Sequence, residues 1–429
     1  IARAHSRIAA PHAARGVYAI YSISSNGCVK RVAVQEGLGQ TMSTDPTITL
    51  SSGHAMPRVG LGTSKLVEKQ IADGIEAGAR HLDCARMYGN EAAVGRAVRA
   101  SKVPRADFFL TSKLFMTELR RDAVGEAVAD TLRDLQTDYL DLLLIHWPLK
   151  YKPGTLFARD GAQDFAETWA AMEALVKDGK VRSIGVSNFD AAQLEALMET
   201  AKIPPAVNQV EAHPRFPNSA LVAWCLSKKI AVVAWGPLAS GRGRLAEDQV
   251  LWTTANMHQV SVPRMALRWN LERGVCVVPR SANPEHVRDC LEAAAGPKLP
   301  KADVELLTRS RPEGRRRFPD VIGVWPASAN VVCRLLGWWL HVLFSVLFRV
   351  CSVDVVALAK RRAIKREATY AAFVKERDAA IAAMEAKIAA RAAEGKMTFT
   401  DGSEDMSVDP AIDPKLAAAR LEMLRTPAD

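Results

Sequence analysis

Four polar side chains of different chemistry lie at or just beyond the ends of three successive apolar runs in the sequence. They are Asp83 and Tyr88 at the first run, Lys113 at the second and His146 at the third. An aspartate, a lysine, a histidine and a tyrosine together can hold, move and deliver a proton. If the three runs end at one place in the fold, these four side chains form a proton-donor set.

The chemistry that suits this set is protonation of a carbonyl oxygen while hydride reaches the carbonyl carbon. A tyrosine has an ordinary pKa of about 10, which is high for an acid at neutral pH. A neighbouring ammonium stabilises the phenolate and lowers that pKa, and a carboxylate keeps the ammonium charged and in place. A histidine can orient the carbonyl or share the proton. Any one such charge at a strand end is commonly only solvated, so the inference depends on all four converging.

The surrounding pattern predicts how these residues are positioned. Short apolar runs alternate with amphipathic stretches, and helical spacing is clear in 164–178 and in 262–272, where Pro263 suits a first turn. Eight strand–helix repeats favour an α/β fold of the (β/α)8 TIM-barrel type over a doubly wound sheet. A small hairpin at 48–50 precedes the first repeat. The predicted strands are 59–62, 81–85, 108–114, 140–147, 183–188, 207–212, 230–235 and 276–279. Barrel chemistry lies where strands end.

Several segments, in order along residues 47–300, resemble the aldo-keto reductase family, in particular its aldose- and aldehyde-reductase-like members. They are GHAMPRVGLGT (53–63), HLDCARMYGNEAAVG (81–95), LTSKL (110–114), LLLIHWP (142–148), KVRSIGVSNF (180–189), NQVEAHP (208–214), WGPLASGR (235–242) and VPRS (278–281). The resemblance implies a TIM barrel, an extended nicotinamide cofactor and a catalytic tetrad. That tetrad maps onto Tyr88, Lys113, Asp83 and His146.

The resemblance also implies a set of NADP(H)-binding positions. They are Gly62 and Thr63 at the nicotinamide end, Ser187, Asn188 and Gln209 at the carboxamide, Trp235 stacking on the nicotinamide ring, Leu238 and Ser240 at the pyrophosphate, and Arg280 and Ser281 at the adenosine 2′-phosphate. A guanidinium suits a phosphate, which favours NADPH over NADH. The isolated Gly60-x-Gly62 is not a Rossmann fingerprint, because the rest of that motif is missing.

The sequence departs from the family's pattern at several positions. Ser64 replaces an aromatic residue, which should open the carbonyl pocket. Cys84 replaces a serine or threonine, and we expect a small buried thiol there and not a reactive one. His286 and Cys290 stand where the family often has arginine and asparagine, and the seventh loop, 239–248, is short. These two departures lower the expected affinity for the cofactor. Trp147 either lines the substrate pocket with His146 or packs under the rim.

Charge and cysteine usage exclude other classes of protein. The net charge is +10, yet residues 1–35 carry five basic side chains and no acid, and 309–366 carry twelve against three acids. The middle of the chain is therefore not basic, and no nucleic-acid partner is predicted. Seven scattered cysteines without paired or zinc-type spacing indicate reduced thiols and no metal site.

Four regions are predicted. Residues 1–46 form a basic extension, either an organellar transit peptide or a segment without regular structure; the location is then a plastid, a mitochondrion or the cytoplasm. Residues 47–326 form the barrel, expected to be monomeric. Residues 327–359 are apolar, and 360–429 form a charged helix and polar tail. A heptad spacing in that helix allows a coiled coil, but a solvated single helix is favoured.

The apolar stretch 335–353 has an uninterrupted core of about 14 residues, shorter than the roughly 20 that span a bilayer. It indicates either membrane contact, peripheral in preference to spanning, or packing on the barrel or a partner. The overall hypothesis is an NADPH-dependent carbonyl reductase of small substrates, an NADP-dependent alcohol dehydrogenase (EC 1.1.1.-). The alternative is a non-catalytic subunit that senses the cofactor for a membrane partner.

Overall fold

The chain forms two units, 1–42 and 43–429. The computed structural model describes residues 19–23, 29–33, 46–153, 160–161, 164–241, 245–309 and 355–393. In the first unit, β1 (Ala19–Ile23) and β2 (Val29–Ala33) pair as an antiparallel hairpin. The basic composition of 1–46 did not predict these strands.

The second unit is organised around eight parallel strands in sequence order. They are β5 (Leu61–Gly62), β6 (His81–Asp83), β7 (Phe109–Leu114), β8 (Leu140–Ile145), β9 (Val181–Ser187), β10 (Val207–Glu211), β11 (Ala231–Trp235) and β12 (Val275–Val278). Each predicted strand is found within a few residues of its expected bounds. Nearly every residue of these strands is buried, because the barrel interior covers one face and helices cover the other.

Backbone hydrogen bonds between the first and last strands close the barrel. The Gly60 nitrogen donates to the Val277 oxygen at 2.8 Å, and the Gly62 nitrogen donates to the Pro279 oxygen at 2.8 Å. Val59 and Val277 form a parallel bridge at the same seam. The expected (β/α)8 barrel is therefore confirmed.

A hairpin of β3 (Thr47–Thr49) and β4 (Ala55–Pro57) plugs the amino-terminal end of the barrel. Met56 packs among inward-facing side chains such as Val233, and the Ser52 hydroxyl lies 2.7 Å from that of Ser183, near the start of β9. The opposite, carboxyl-terminal end is left for the site.

Helices follow the barrel strands and surround them. They are α1 (Glu68–Glu76), α2 (Glu91–Ala100), α3 (Arg121–Leu135), α4 (Ala166–Lys177), α5 (Ala191–Thr200), α6 (Ser219–Ser227), α7 (Gln249–Met257), α8 (Val262–Glu272), α9 (Pro284–Leu291) and α10 (Lys301–Arg309). The two helices predicted from spacing correspond to α4 and α8. Helix α8 is capped by Ser261, whose hydroxyl accepts from the Arg264 nitrogen at 3.0 Å, with a proline in its first turn.

A long helix, α11 (Val355–Ala393), follows further along the chain. It corresponds to the predicted charged helix, which was expected to be a solvated single helix; in the structure, the first turns of this helix contact the barrel. Val356 and Ala363 are buried in the unit, because one face of α11 packs on the barrel. The apolar stretch 335–353 lies outside the described residues. Among the described helices, none combines the length and apolarity of a membrane span.

Candidate active site

Asp83, Lys113 and Tyr88 form one hydrogen-bonded group at the carboxyl end of β6 and β7. The Lys113 ammonium donates to both Asp83 carboxylate oxygens, at 2.7 and 2.8 Å, and to the Cys84 carbonyl at 2.8 Å. It also donates to the Tyr88 hydroxyl at 3.4 Å. Asp83 and Lys113 are buried. The three side chains that the sequence placed at strand ends are thus brought together.

Local backbone geometry places Tyr88 over this group. A 3-10 turn, Arg86–Tyr88, follows β6 and ends at Gly89, whose φ of 70° lies in the left-handed region. Glycine adopts that conformation without the steric cost of a side chain. The turn leads the phenol back toward Lys113.

Burial and charge set the protonation states of this group. Burial alone would lower the pKa of Lys113, but the Asp83 and Tyr88 oxygens outweigh it, and the pKa lies above its ordinary value. Burial raises the pKa of Tyr88 more than Lys113 lowers it, so the net shift is upward. The expected lowering by the ammonium is present, but desolvation exceeds it. Lys113 is therefore charged and Tyr88 is a neutral phenol at neutral pH.

His146, one residue after β8, completes the set. Its ring meets the Tyr88 ring edge-on, with centroids 5.9 Å apart and planes at 83°. Burial and the Lys113 charge hold its pKa well below the ordinary value, so the imidazole is neutral. Its buried Nδ1 has no hydrogen-bond partner among the described residues. The Trp147 ring stacks beside the imidazole, with centroids 6.5 Å apart.

Polar side chains at the ends of β9 and β10 lie next to these four residues and enlarge the site. The Gln209 amide donates to Asp83 Oδ1 at 2.8 Å, and the Ser187 hydroxyl donates to the Gln209 carbonyl at 2.8 Å. The Asn188 amide donates to the His146 carbonyl at 2.9 Å, and Asn188 Oδ1 accepts from the Trp235 indole at 2.9 Å. Of the three residues expected at a carboxamide, Gln209 and Asn188 are therefore hydrogen-bonded to the proton-donor set, and Ser187 is hydrogen-bonded to Gln209.

The remaining predicted cofactor positions lie at the carboxyl ends of β5, β11 and β12. Thr63 is buried, and its hydroxyl donates to the Asp83 carbonyl at 3.0 Å. A Cβ at Gly62 would lie 3.7 Å from Arg280 Cβ, so these two positions are neighbours across the barrel seam. The Arg280 side chain is exposed. The Ser281 hydroxyl accepts from the Asn283 nitrogen at 3.1 Å.

The pyrophosphate positions lie at the start of the short seventh loop, with Leu238 just before it and Ser240 within it. Leu238 is half-buried, and Ser240 has a φ of 52° within the 3-10 turn Ala239–Gly241. A Cβ at Gly236 would lie 3.2 Å from the Ser240 hydroxyl. Residues 242–244 of this loop lie outside the described residues.

A buried ionic cluster behind the tyrosine turn was missed from the sequence. Arg86 pairs with Glu118 at 2.6 Å and with Asp130 at 3.4 Å. Glu91, at the start of α2, accepts from the Ser112 hydroxyl at 2.5 Å and from the Thr131 hydroxyl at 3.2 Å. Burial raises the pKa of Glu91 to about 7. The one available signal was a charged residue three positions after Tyr88, which is too common to identify a network.

The cysteines of the barrel are buried and free. Cys84 is fully buried beside Asp83, and burial raises the pKa of its thiol. Burial also raises the pKa of Cys290 to about 12. Both thiols are therefore protonated at neutral pH. Within the described residues, no three histidine, cysteine or acidic side chains are grouped as a metal site.

Comparison with known proteins gives one consistent result. Residues 64–311 match the sequence model of the Aldo/keto reductase family. The chain is 38% identical over 301 residues to aldo-keto reductase family 1 member A1-A of Danio rerio, covering 64% of this chain and 93% of that protein. It is 34% identical over 302 residues to an aldehyde reductase of Saccharomyces cerevisiae, covering 65% and 95%.

Solved structures agree with the sequence relatives. The aldose reductase of Schistosoma japonicum superposes with a TM-score of 0.59 at 33% identity, covering 64% of this chain and 95% of that one. A Bombyx mori aldo-keto reductase in complex with NADP also gives a TM-score of 0.59, at 32% identity, covering 63% and 94%. With the barrel, the family match and these relatives in agreement, the chain belongs to the aldo/keto reductase family.

Proposed function

We propose that this chain reduces aldehydes and ketones to alcohols with NADPH, as an NADP-dependent alcohol dehydrogenase acting in the carbonyl-reducing direction. The observation that carries the proposal is the hydrogen-bonded group of Asp83, Lys113 and Tyr88 beside a neutral His146. These four side chains lie at one rim of the barrel, and their chemistry suits the transfer of one proton to a carbonyl oxygen.

Each of the four residues has a separate role in this proposal. Tyr88 donates its phenolic proton to the carbonyl oxygen, since its raised pKa keeps it protonated at neutral pH. The Lys113 ammonium stabilises the phenolate that forms, and Asp83 holds that ammonium charged and in position. His146 and Trp147 orient the carbonyl compound, and a neutral imidazole does so without adding a second buried charge near Lys113.

The residues present suit NADP(H). When bound, NADPH supplies the hydride. Side-chain amides and hydroxyls at the ends of β9 and β10 match a carboxamide, the Trp235 ring offers a stacking surface, and an exposed guanidinium at Arg280 matches a phosphate. The complex of the Bombyx mori relative with NADP supports the same assignment. The binding residues in this proposal are Gly62, Thr63, Ser187, Asn188, Gln209, Trp235, Leu238, Ser240, Arg280 and Ser281.

The test is oxidation of NADPH, followed by its absorbance, with the full chain and a panel of aliphatic aldehydes, aromatic aldehydes and ketones. NADH is compared in parallel. The proposal predicts turnover with NADPH preferred. Binding of NADPH, seen as quenched tryptophan fluorescence, without turnover on any carbonyl would contradict it and would favour the non-catalytic, cofactor-sensing subunit.

A further inference from the structure

Helix α11 lies directly against the turn that carries Tyr88. A Cβ at Gly89 would lie 2.6 Å from the Lys360 nitrogen and 2.5 Å from the Ala359 oxygen. The backbone of α11 therefore contacts the backbone of the residue after the tyrosine. Only a glycine at position 89 allows this approach.

The first turn of α11 also closes an apolar cluster. Val356 is 7% exposed and packs with Phe115, Met116 and Tyr151, and Trp147 lies against the same cluster. Phe115 and Met116 follow β7, which delivers Lys113. Trp147 stacks on His146. The cluster therefore stands on the same rim as the proton-donor set, on the side of His146.

Burial along α11 shows that one face is docked. Val356 and Ala363 are buried and Ala359 is half-buried, whereas Ile364 is 69% exposed and Ala368 is exposed. Spacings of three and four residues place the buried positions on a single helical face. A free helix would show no such periodicity.

Two polar contacts fix the first part of the helix on the barrel. The Lys360 ammonium bonds to the Asp134 carboxylate of α3 at 2.6 Å. The Glu367 side chain accepts from the Glu68 nitrogen, the first residue of α1, at 2.7 Å. Together with the Gly89 contact and the apolar cluster, these two contacts hold α11 at four places on the barrel.

From these contacts we propose that the first two turns of α11 form one wall of the carbonyl-substrate pocket, with Val356 limiting the size of the group attached to the carbonyl. The inference rests on the proposed function. Because the wall joins Val356 to Phe115, Met116 and Trp147, it favours apolar aliphatic or aromatic substituents over charged or polyhydroxylated ones.

The test compares full-length Val356→Ala and Val356→Phe with the wild type on a short aliphatic aldehyde and on a naphthaldehyde. Val356→Ala removes two methyl groups and should shift the ratio of kcat/KM toward the naphthaldehyde by at least about tenfold, since even one methylene in an apolar pocket discriminates to that extent. Val356→Phe should shift the ratio the other way. The KM for NADPH should stay at its wild-type value in both.

The matched control is Ile364→Ala, a truncation on the exposed face of the same helix, which should leave the ratio unchanged. An unchanged ratio in both Val356 variants, with turnover retained, would overturn the proposal. If the wild type binds NADPH and reduces neither aldehyde, it is the proposed function that fails.

Docking of α11 is measured separately by hydrogen–deuterium exchange. Ala359→Trp should displace the helix from Gly89 and speed exchange across the Arg86–Tyr88 turn, whereas Ala368→Trp on the exposed face should not. Equal exchange in these two variants and the wild type would contradict the docked wall, whatever the activity.

Discussion

Replacing Glu91 by glutamine should change how the stability of this protein depends on pH. Glu91 is 2% exposed, and its carboxyl accepts hydrogen bonds from Ser112 and Thr131. Burial raises its pKa from 4.5 to about 7. In the unfolded chain the same carboxyl is solvated and titrates at its ordinary value.

The sign follows from the protons bound by each state. Between the two pKa values the folded protein keeps the Glu91 proton and the unfolded chain has lost it, so the free energy of unfolding falls as pH rises. Each unit by which the folded and unfolded pKa values differ corresponds to about 1.4 kcal/mol. The unfolding free energy lost through Glu91 therefore reaches about 3 kcal/mol once the pH exceeds the folded pKa. Glutamine resembles the protonated carboxyl and carries no such loss.

The assay is urea unfolding of both proteins, followed by tryptophan fluorescence, at about pH 5 and about pH 8. From about pH 5 to about pH 8, the unfolding free energy of Glu91→Gln should rise by about 2–3 kcal/mol relative to that of the wild type. Glu126→Gln, on the exposed surface of α3, controls for removal of one negative charge. Parallel stability curves for Glu91→Gln and the wild type would refute the reasoning, because they would mean that the buried carboxyl titrates as it does in water.

Three further outcomes are expected. A Cβ at Gly95 would lie 2.7 Å from the Leu135 carbonyl carbon of α3, so Gly95→Ala should lower the unfolding free energy by about 2 kcal/mol. At Gly125 nothing lies within 4 Å of such a Cβ, so Gly125→Ala should raise the unfolding free energy by about 0.5–1 kcal/mol. The Cys84 thiol should resist iodoacetamide in the native protein and react only after denaturation, as read by mass spectrometry. Arg280→Ala should raise the KM for NADPH by about tenfold, the loss of one charge-assisted contact, and leave the KM for NADH unchanged; an equal effect on both cofactors would contradict the phosphate assignment.

The barrel could be read from the sequence because its strands are buried on both faces. A stretch such as 142–145, which reads LLLI, is then apolar at every position and stands out from the amphipathic helices around it. The residues at the strand ends were found for the same reason, since Asp83, Lys113 and His146 interrupt or end apolar runs. Parallel strands place such ends at one rim, so their meeting could be expected without coordinates.

Features that depend on distant contacts could not be read in this way. The Arg86 cluster draws its acids from Glu118 and Asp130, far along the chain, so no local spacing marks it. The net pKa shift of Tyr88 depends on burial, which the sequence does not reveal, and its sign is set by a balance of two opposing effects.

The docked face of α11 was missed for a different reason. Alanines such as Ala359 and Ala363 suit a solvated helix and a close helix–barrel contact equally well, so composition favoured the solvated interpretation. What distinguishes the two is Gly89 on the other side of the contact, which only the fold brings into position.

The central claim is that Tyr88 delivers the proton, and the most direct measurement is the turnover of full-length Tyr88→Phe with NADPH and the best aldehyde. Tyr139→Phe, at the residue just before β8, is the matched control. We expect Tyr88→Phe to lose at least about a hundredfold in kcat, with NADPH affinity by fluorescence quenching unchanged and Tyr139→Phe fully active. Wild-type turnover in Tyr88→Phe would contradict the account.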